Sequence, residues 1–231
     1  MAWSLVGQVA FQASDATDTT QSLPGTPQEG DIVLIGASCD AAITSAFIST
    51  SGYTSFETHD TGANPGNAFY WKIMGATPDT DITIAAAAST EFMACVLQVW
   101  RGVDTTTPND VTPTVASSGA GMPDPPSITP TTNGCLIVAF GALDDDNVAS
   151  EVGAPSGYSN LLASDNSSNA DNATSMIASM EQATAAAENP GAFTSTTGTD
   201  AWRATTVALR PAAGGGPTVN SSKLALVGVG V

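Results

Sequence analysis

Few residues of this chain are of types that do chemistry, and their spacing does not assemble them into a reaction centre. The single histidine, His59, sits in Glu57-Thr58-His59-Asp60-Thr61-Gly62, where Asp60 is placed to orient it as in a base and acid pair. No second histidine or nucleophile motif accompanies it, so the expectation is a solvated loop histidine. The acidic run Asp144-Asp145-Asp146-Asn147 offers the oxygen ligands that calcium takes from a flexible loop. Its spacing is not that of an EF-hand, and a solvated turn at a strand end explains it more simply. Facing carboxylates for glycoside hydrolysis need no local motif, but nothing singles out such a pair. Walker A, G-x-S-x-G and H-E-x-x-H patterns do not occur. The sequence therefore predicts a protein that is not an enzyme, with no catalytic residues, no cofactor and no metal site.

Aromatic and sulfur side chains point inward on the same reasoning. Trp71, Trp100 and Trp202 would suit a sugar-stacking platform, but alternating on strands they are expected in the core. Cys95 in Phe92-Met93-Ala94-Cys95-Val96-Leu97 and Cys135 in Cys135-Leu136-Ile137-Val138-Ala139-Phe140 lie in apolar runs. With Cys39 they make an odd, widely spaced set, which predicts buried reduced thiols rather than disulfides.

Charge narrows the partners. Five Lys and Arg against 22 Asp and Glu leave a net charge of -17, too few cations to release counterions from a phosphate backbone or to bind anionic lipid. Neither nucleic acid nor membrane is expected as a partner, whereas basic protein patches or cations suit such a surface. Gln8, Gln12 and Asp15 interrupt the start, so no signal peptide is expected there and synthesis in a cytoplasm is; no 18-residue apolar run occurs.

The elements that must position these residues are strands. Thr, Ser, Ala, Gly and Val dominate, and only 12% of residues are charged, a composition for short strands and turns rather than ion-paired helices. Leu5, Gly7, Val9 and Phe11 share one strand face, as do Ile82 and Ile84 around Thr83. Pro24-Gly25, Asn64-Pro65-Gly66, Pro78-Asp79, Pro108-Asn109 and Asn189-Pro190-Gly191 break the strands. Alanine runs 85–88 and 183–187 read as strand ends or at most one short helix.

The order of elements in residues 4–103 returns in residues 112–211. Thr26-Pro27-Gln28-Glu29-Gly30 before Asp31-Ile32-Val33-Leu34 matches Thr129 to Gly134 before Cys135-Leu136-Ile137-Val138, and Ser51-Gly52-Tyr53 matches Ser156-Gly157-Tyr158. Lys72-Ile73-Met74 is aligned with Ala178-Ser179-Met180. The closing strands align with one gap and end in Arg101 and Arg210. The expected fold is an all-β, jelly-roll-like sandwich over residues 1–211, built from two related halves of about 100 residues. A core shared by the halves is favoured over two small sandwiches, because each half offers only about five strands.

Beyond residue 211 the character changes. Residues 212–217 are a Gly-rich linker, and residues 218–231 carry an apolar tail with Leu224, Leu226, Val227, Val229 and Val231. An apolar strand on a tether needs a receiving surface, supplied either by its own sheet or by a neighbouring subunit through β-strand addition.

Four stretches carry a family resemblance: Pro27 to Asp31 ahead of an apolar strand, Ser51 to Tyr53, Tyr70 to Thr80 closing on Gly-Ala-x-Pro-Asp-Thr, and Val99 to Asp104. The chain resembles uncharacterised β-sandwich proteins of tailed phages and prophages, mainly through its first half. The resemblance implies a virion structural role, partners among other virion proteins and copies of itself, and no catalytic residues. Small size, the absence of a fibre-like shaft and the tethered tail favour a head decoration or cement protein. A tail or fibre protein binding host glycan, or a secreted carbohydrate-binding module, are the alternatives.

Overall fold

A strand that is apolar at every position, rather than at alternate ones, needs cover on both faces. The computed structural model describes residues 3–14, 17–40, 43, 47–57, 65–86, 92–144, 149–166, 173–196 and 200–213 and shows how that cover arises. The first half contains β1 (Ser4–Ala13), β2 (Thr19–Ser22), β3 (Ile32–Cys39), β4 (Thr54–Ser55), β5 (Gly66–Ile73), β6 (Asp81–Ile84) and β7 (Met93–Arg101). The second contains β8 (Thr114–Ser118), β9 (Cys135–Leu143), β10 (Ser159–Asp165), β11 (Thr174–Gln182) and β12 (Trp202–Leu209), with one 3-10 turn at Ala149–Glu151.

Each half makes its own five-stranded antiparallel sheet: β1-β7-β3-β5-β4 in one and β8-β12-β9-β11-β10 in the other. The two orders are the same. First and last strands are neighbours, and the second pairs with the penultimate in a separate β2-β6 ribbon, which is the jelly-roll arrangement. In the second half that ribbon shrinks to one bridge, Ile128 to Glu188. The alanine run 183–187 is not helical, and of the run 85–88 only Ala85 and Ala86 are described, also outside any helix.

Registers refine the internal alignment. Ile32 lies between Ile73 and Trp100, and Leu136 lies between Glu181 and Leu209, so Lys72 corresponds to Met180 and not to Ala178. Gly52 packs on Lys72 and Gly157 on Met180, in agreement. The closing strands match without a gap, Arg101 with Arg210 and Ala94 with Arg203. A slip of two residues leaves every side chain on its own face, so hydrophobic alternation alone does not expose it.

Three apolar layers result. Val33, Ile35, Ala37, Cys95 and Leu97 face the β2-β6 ribbon side with Ile82 and Ile84. Ile137, Ala139, Met176 and Ala208 face outward in the second half, under Ile128 and Phe193. Between the sheets Ile32, Leu34, Phe69, Val96 and Trp100 meet Leu136, Val138, Phe140, Ile177 and Val207. The core between the sheets is thus shared, as expected, but each half also has one of its own, and among the described residues no sheet mixes strands of both. All residues of β3 and β9 are buried as a consequence. The three cysteines are free and buried, and burial pushes the Cys95 thiol well above its ordinary range.

Candidate functional site

The seam between the two sheets is where polar side chains collect. β10 lies over β1 and β7, β11 over β3 and β7, and β9 over β3 and β5, so an approximate twofold axis passes between β3 and β9. At that axis stand two equivalent positions with opposite sizes. A Cβ on Gly36 would come within 2.2 Å of the Phe140 ring, and that ring stacks on Phe69 with centroids 4.7 Å apart.

One flank of the seam is stitched shut. Ser164 Oγ donates to the Phe11 carbonyl (2.9 Å) and Gln12 Nε2 to that of Asp165 (2.8 Å). Gln98 Nε2 donates to the Asn160 carbonyl (2.8 Å) and to Gln8 Oε1 (3.0 Å), while its own Oε1 accepts from Trp100 Nε1 (2.9 Å). Asn160 reaches this position at φ 53, where β10 shifts register between Ser159 and Leu162; asparagine tolerates that left-handed conformation. Ser175 Oγ donates to the Ala94 carbonyl (2.8 Å), so in its 2.9 Å bond with Ser38 the Ser38 hydroxyl is the donor.

The opposite flank has different chemistry at equivalent positions. Where the stitched side has Ala94, Val96 and Ser175, this side has Arg203, Thr205 and Asn67. Thr205 Oγ1 donates to Glu57 Oε2 (2.7 Å), and Asn67 Nδ2 donates to Glu57 Oε1. Burial raises the Glu57 carboxyl pKa, and the Thr205 hydrogen bond and Arg203 charge offset that only in part. A buried carboxylate held at a cost, on one of two otherwise equivalent flanks, is what a selected feature looks like. Glu57→Gln should therefore be more stable than the parent at pH 7 and equal to it near pH 4. A raised folded pKa means that the carboxyl's contribution is fully present below its ordinary value and fades as pH rises. Chemical denaturation at the two pH values checks this, and a glutamine variant that is less stable at both would contradict it.

Among the described residues Glu57 has no second acid or histidine beside it as an acid-base partner, and no group of three His, Cys, Asp or Glu side chains could hold a metal. His59 and residues 145–148 of the acidic run lie outside the described residues, as do Leu224, Leu226, Val227, Val229 and Val231. Asp144 directly follows β9 and donates its N–H to the Ala201 carbonyl (2.9 Å). Of the described residues, no helix is long and apolar enough to cross a membrane.

Trp100 and Trp202 are core residues, and Trp71 is half-buried. Trp100 is 3% exposed and Trp202 8%, and the Trp202 Nε1 donates to the Ala120 carbonyl (3.2 Å). Trp71 packs into the shared layer beside Phe56. They form no exposed platform for a sugar ring. Sequence reasoning missed Glu57, Arg203 and the two aspartates that receive the closing arginines. For the last there was a signal, since two of only five cations recur at equivalent strand ends.

Arg101 makes a two-pronged bond to Asp31, 2.8 Å at each oxygen, and Asp31 also takes the Gln28 N–H (2.7 Å). In the second half Cys135 stands at the Asp31 position. Asp110, from the segment that joins the halves, takes over: it accepts from Arg210 Nε (3.1 Å), Thr131 Oγ1 (3.0 Å) and the N–H groups of Thr131 and Thr132. One ion pair and one capped turn are thus kept in each half by different residues. Comparison of this chain with protein-family models, with curated proteins and with solved structures returns no match.

Proposed function

We propose that this chain is a structural protein of a tailed-phage particle, acting as a head decoration or cement protein through subunit contacts. The observation that carries the reading is where the family-like residues meet. Gly30 (φ 85) and Asp31 turn the chain into β3, Arg101 closes on Asp31, and Gly102 (φ 110) accepts the Ala212 N–H (2.6 Å) beside the Val103–Pro211 bridge. Asp104 Oδ1 then caps the N–H groups of Thr106 (2.9 Å) and Thr107 (3.1 Å). The motif is architectural: it builds one corner of the body and pins the point at which residues 212–217 begin. An all-β body whose outgoing chain is anchored at a set point suits a subunit that is held on a surface by contacts.

Two further facts support the reading. Jelly rolls serve in viral capsid and in lectin domains, and fold alone does not choose between these; the inward tryptophans weigh against the lectin alternative. A charge of -17 keeps many copies apart until a basic or apolar partner surface is offered. The test is mass spectrometry of heads and tails separated from purified particles. The chain is expected in the head fraction, and particles lacking it should rupture at lower temperature. Recovery only with tails, or absence from particles, would overturn the proposal.

A further inference from the structure

We infer that the outer edge of β8 is a docking site for the tail segment Leu224–Val231 of a second copy, which adds to the sheet as an antiparallel strand. This does not depend on the virion reading. Sheet edges are normally blunted by charge, proline, bulges or cover. Of the four edges of the two five-stranded sheets, three are: β1 is shifted in register between Leu5 and Gly7 and stitched to β10, β10 carries the Asn160 irregularity, and β4 is two residues long.

The five residues of β8 carry none of these devices, and Pro113 stands just before them. The strand's residues Thr-Val-Ala-Ser-Ser are uncharged, and among the described residues it pairs only with β12 and no backbone group bonds to its outer side. Val115 is 59% exposed, the only large apolar side chain the described residues leave so. It stands opposite Thr205 and hence on the face toward the first sheet, where two-residue β4 is too short to cover it. On the stitched flank Gln8 and Gln12 of β1 reach across the seam; their counterparts are Pro113, just before β8, and Ser117 on it.

Charge and direction indicate the occupant. Residues 212–231 hold no acid and the cation Lys223, in a chain otherwise strongly acidic. The apolar residues alternate in Leu224-Ala225-Leu226 and Val227-Gly228-Val229-Gly230-Val231, so an added strand would place large side chains over Val115. The body releases its chain at the Thr114 end of β8, because Thr206 pairs with Thr114 and Pro211 lies beyond. To run antiparallel to its own β8, the tail would first have to travel to the Ser118 end, roughly 30 Å of strand at about 3.3 Å per residue. Relaxed, the twelve residues 212–223 span only about 20 Å, so reaching that end means stretching them toward their limit of about 40 Å, at an entropic cost. A neighbouring copy meets the edge antiparallel without that constraint, and antiparallel pairing is the more stable sense.

The test uses the full chain and two variants, Val115→Lys at the edge and Leu226→Asp in the tail, followed by sedimentation at up to about 100 µM. The parent should self-associate, each variant should weaken association by at least about tenfold, and neither should lower the melting temperature of dilute protein. Mixing the two should form a one-to-one pair, because one supplies the tail and the other the edge. A parent that stays monomeric, association indifferent to Val115→Lys, or two monomeric variants that melt lower because the tail binds its own sheet would each overturn the inference.

Discussion

Gly36→Ala is expected to destabilise the protein by about 3 kcal/mol, the upper end of the cost of overpacking a tight core, although it adds one methyl group to a strand. The added carbon would lie 2.2 Å from Phe140 Cε2, and the ring has little room to yield because it stacks on Phe69. Phe140→Ala should cost about 3 to 5 kcal/mol through lost burial and a cavity at the axis. In that background Gly36→Ala should cost less than about 1 kcal/mol, since the methyl group then enters the vacated space. Denaturant unfolding of the four proteins reads the coupling, and additive costs would show that the two positions do not meet. Glycine against phenylalanine at equivalent positions also fixes the pairing of the halves. Two first halves would leave a void at the axis and two second halves would bring ring against ring, so the seam favours one of each.

Much of the fold was legible because duplication preserves backbone requirements. Gly30 and Gly134, and Gly52 and Gly157, all adopt positive φ at matching turns, where a side chain would be strained, and glycine in those places marks the repeat. Apolar runs at β3 and β9 signalled strands covered on both faces. What stayed hidden depends on residues far apart in the chain. Glu57 and Thr205 are 148 residues apart, and no local pattern relates them; Glu57 reads as one more polar loop residue beside His59. The Asp31 ion pair looks lost in the second half, where Cys135 occupies its place, until the fold brings Asp110 in from another segment. The stacking of one sheet on the other is equally non-local, because a strand apolar on both faces does not say what covers each.

Removing the Asp110 carboxylate should cost about 3 kcal/mol at neutral pH, as expected when one member of a buried ion pair is taken away. The Asp110 side chain is fully covered while that of Arg210 is 32% exposed, so water relieves the arginine more than the two Thr N–H groups. Burial pushes the Asp110 carboxyl up, but the hydrogen bonds from Thr132 and Thr131 outweigh it and hold the pKa at about 2, against an ordinary 3.8. A depressed folded pKa means that the unfolded chain takes up the proton first as pH falls. The contribution is therefore complete above about pH 4 and lost between about pH 4 and pH 2, amounting to about 2.5 kcal/mol at 1.36 kcal/mol per pH unit. Asp110→Asn should run well below the parent in stability at pH 7 and converge on it near pH 2. Glu57 works in the opposite sense above its ordinary range, so the Asp110 slope is best read in the Glu57→Gln background. If the asparagine variant trails the parent equally at both pH values, the carboxylate charge is not what holds the Thr131 turn and Arg210, and the second half keeps its corner by packing alone.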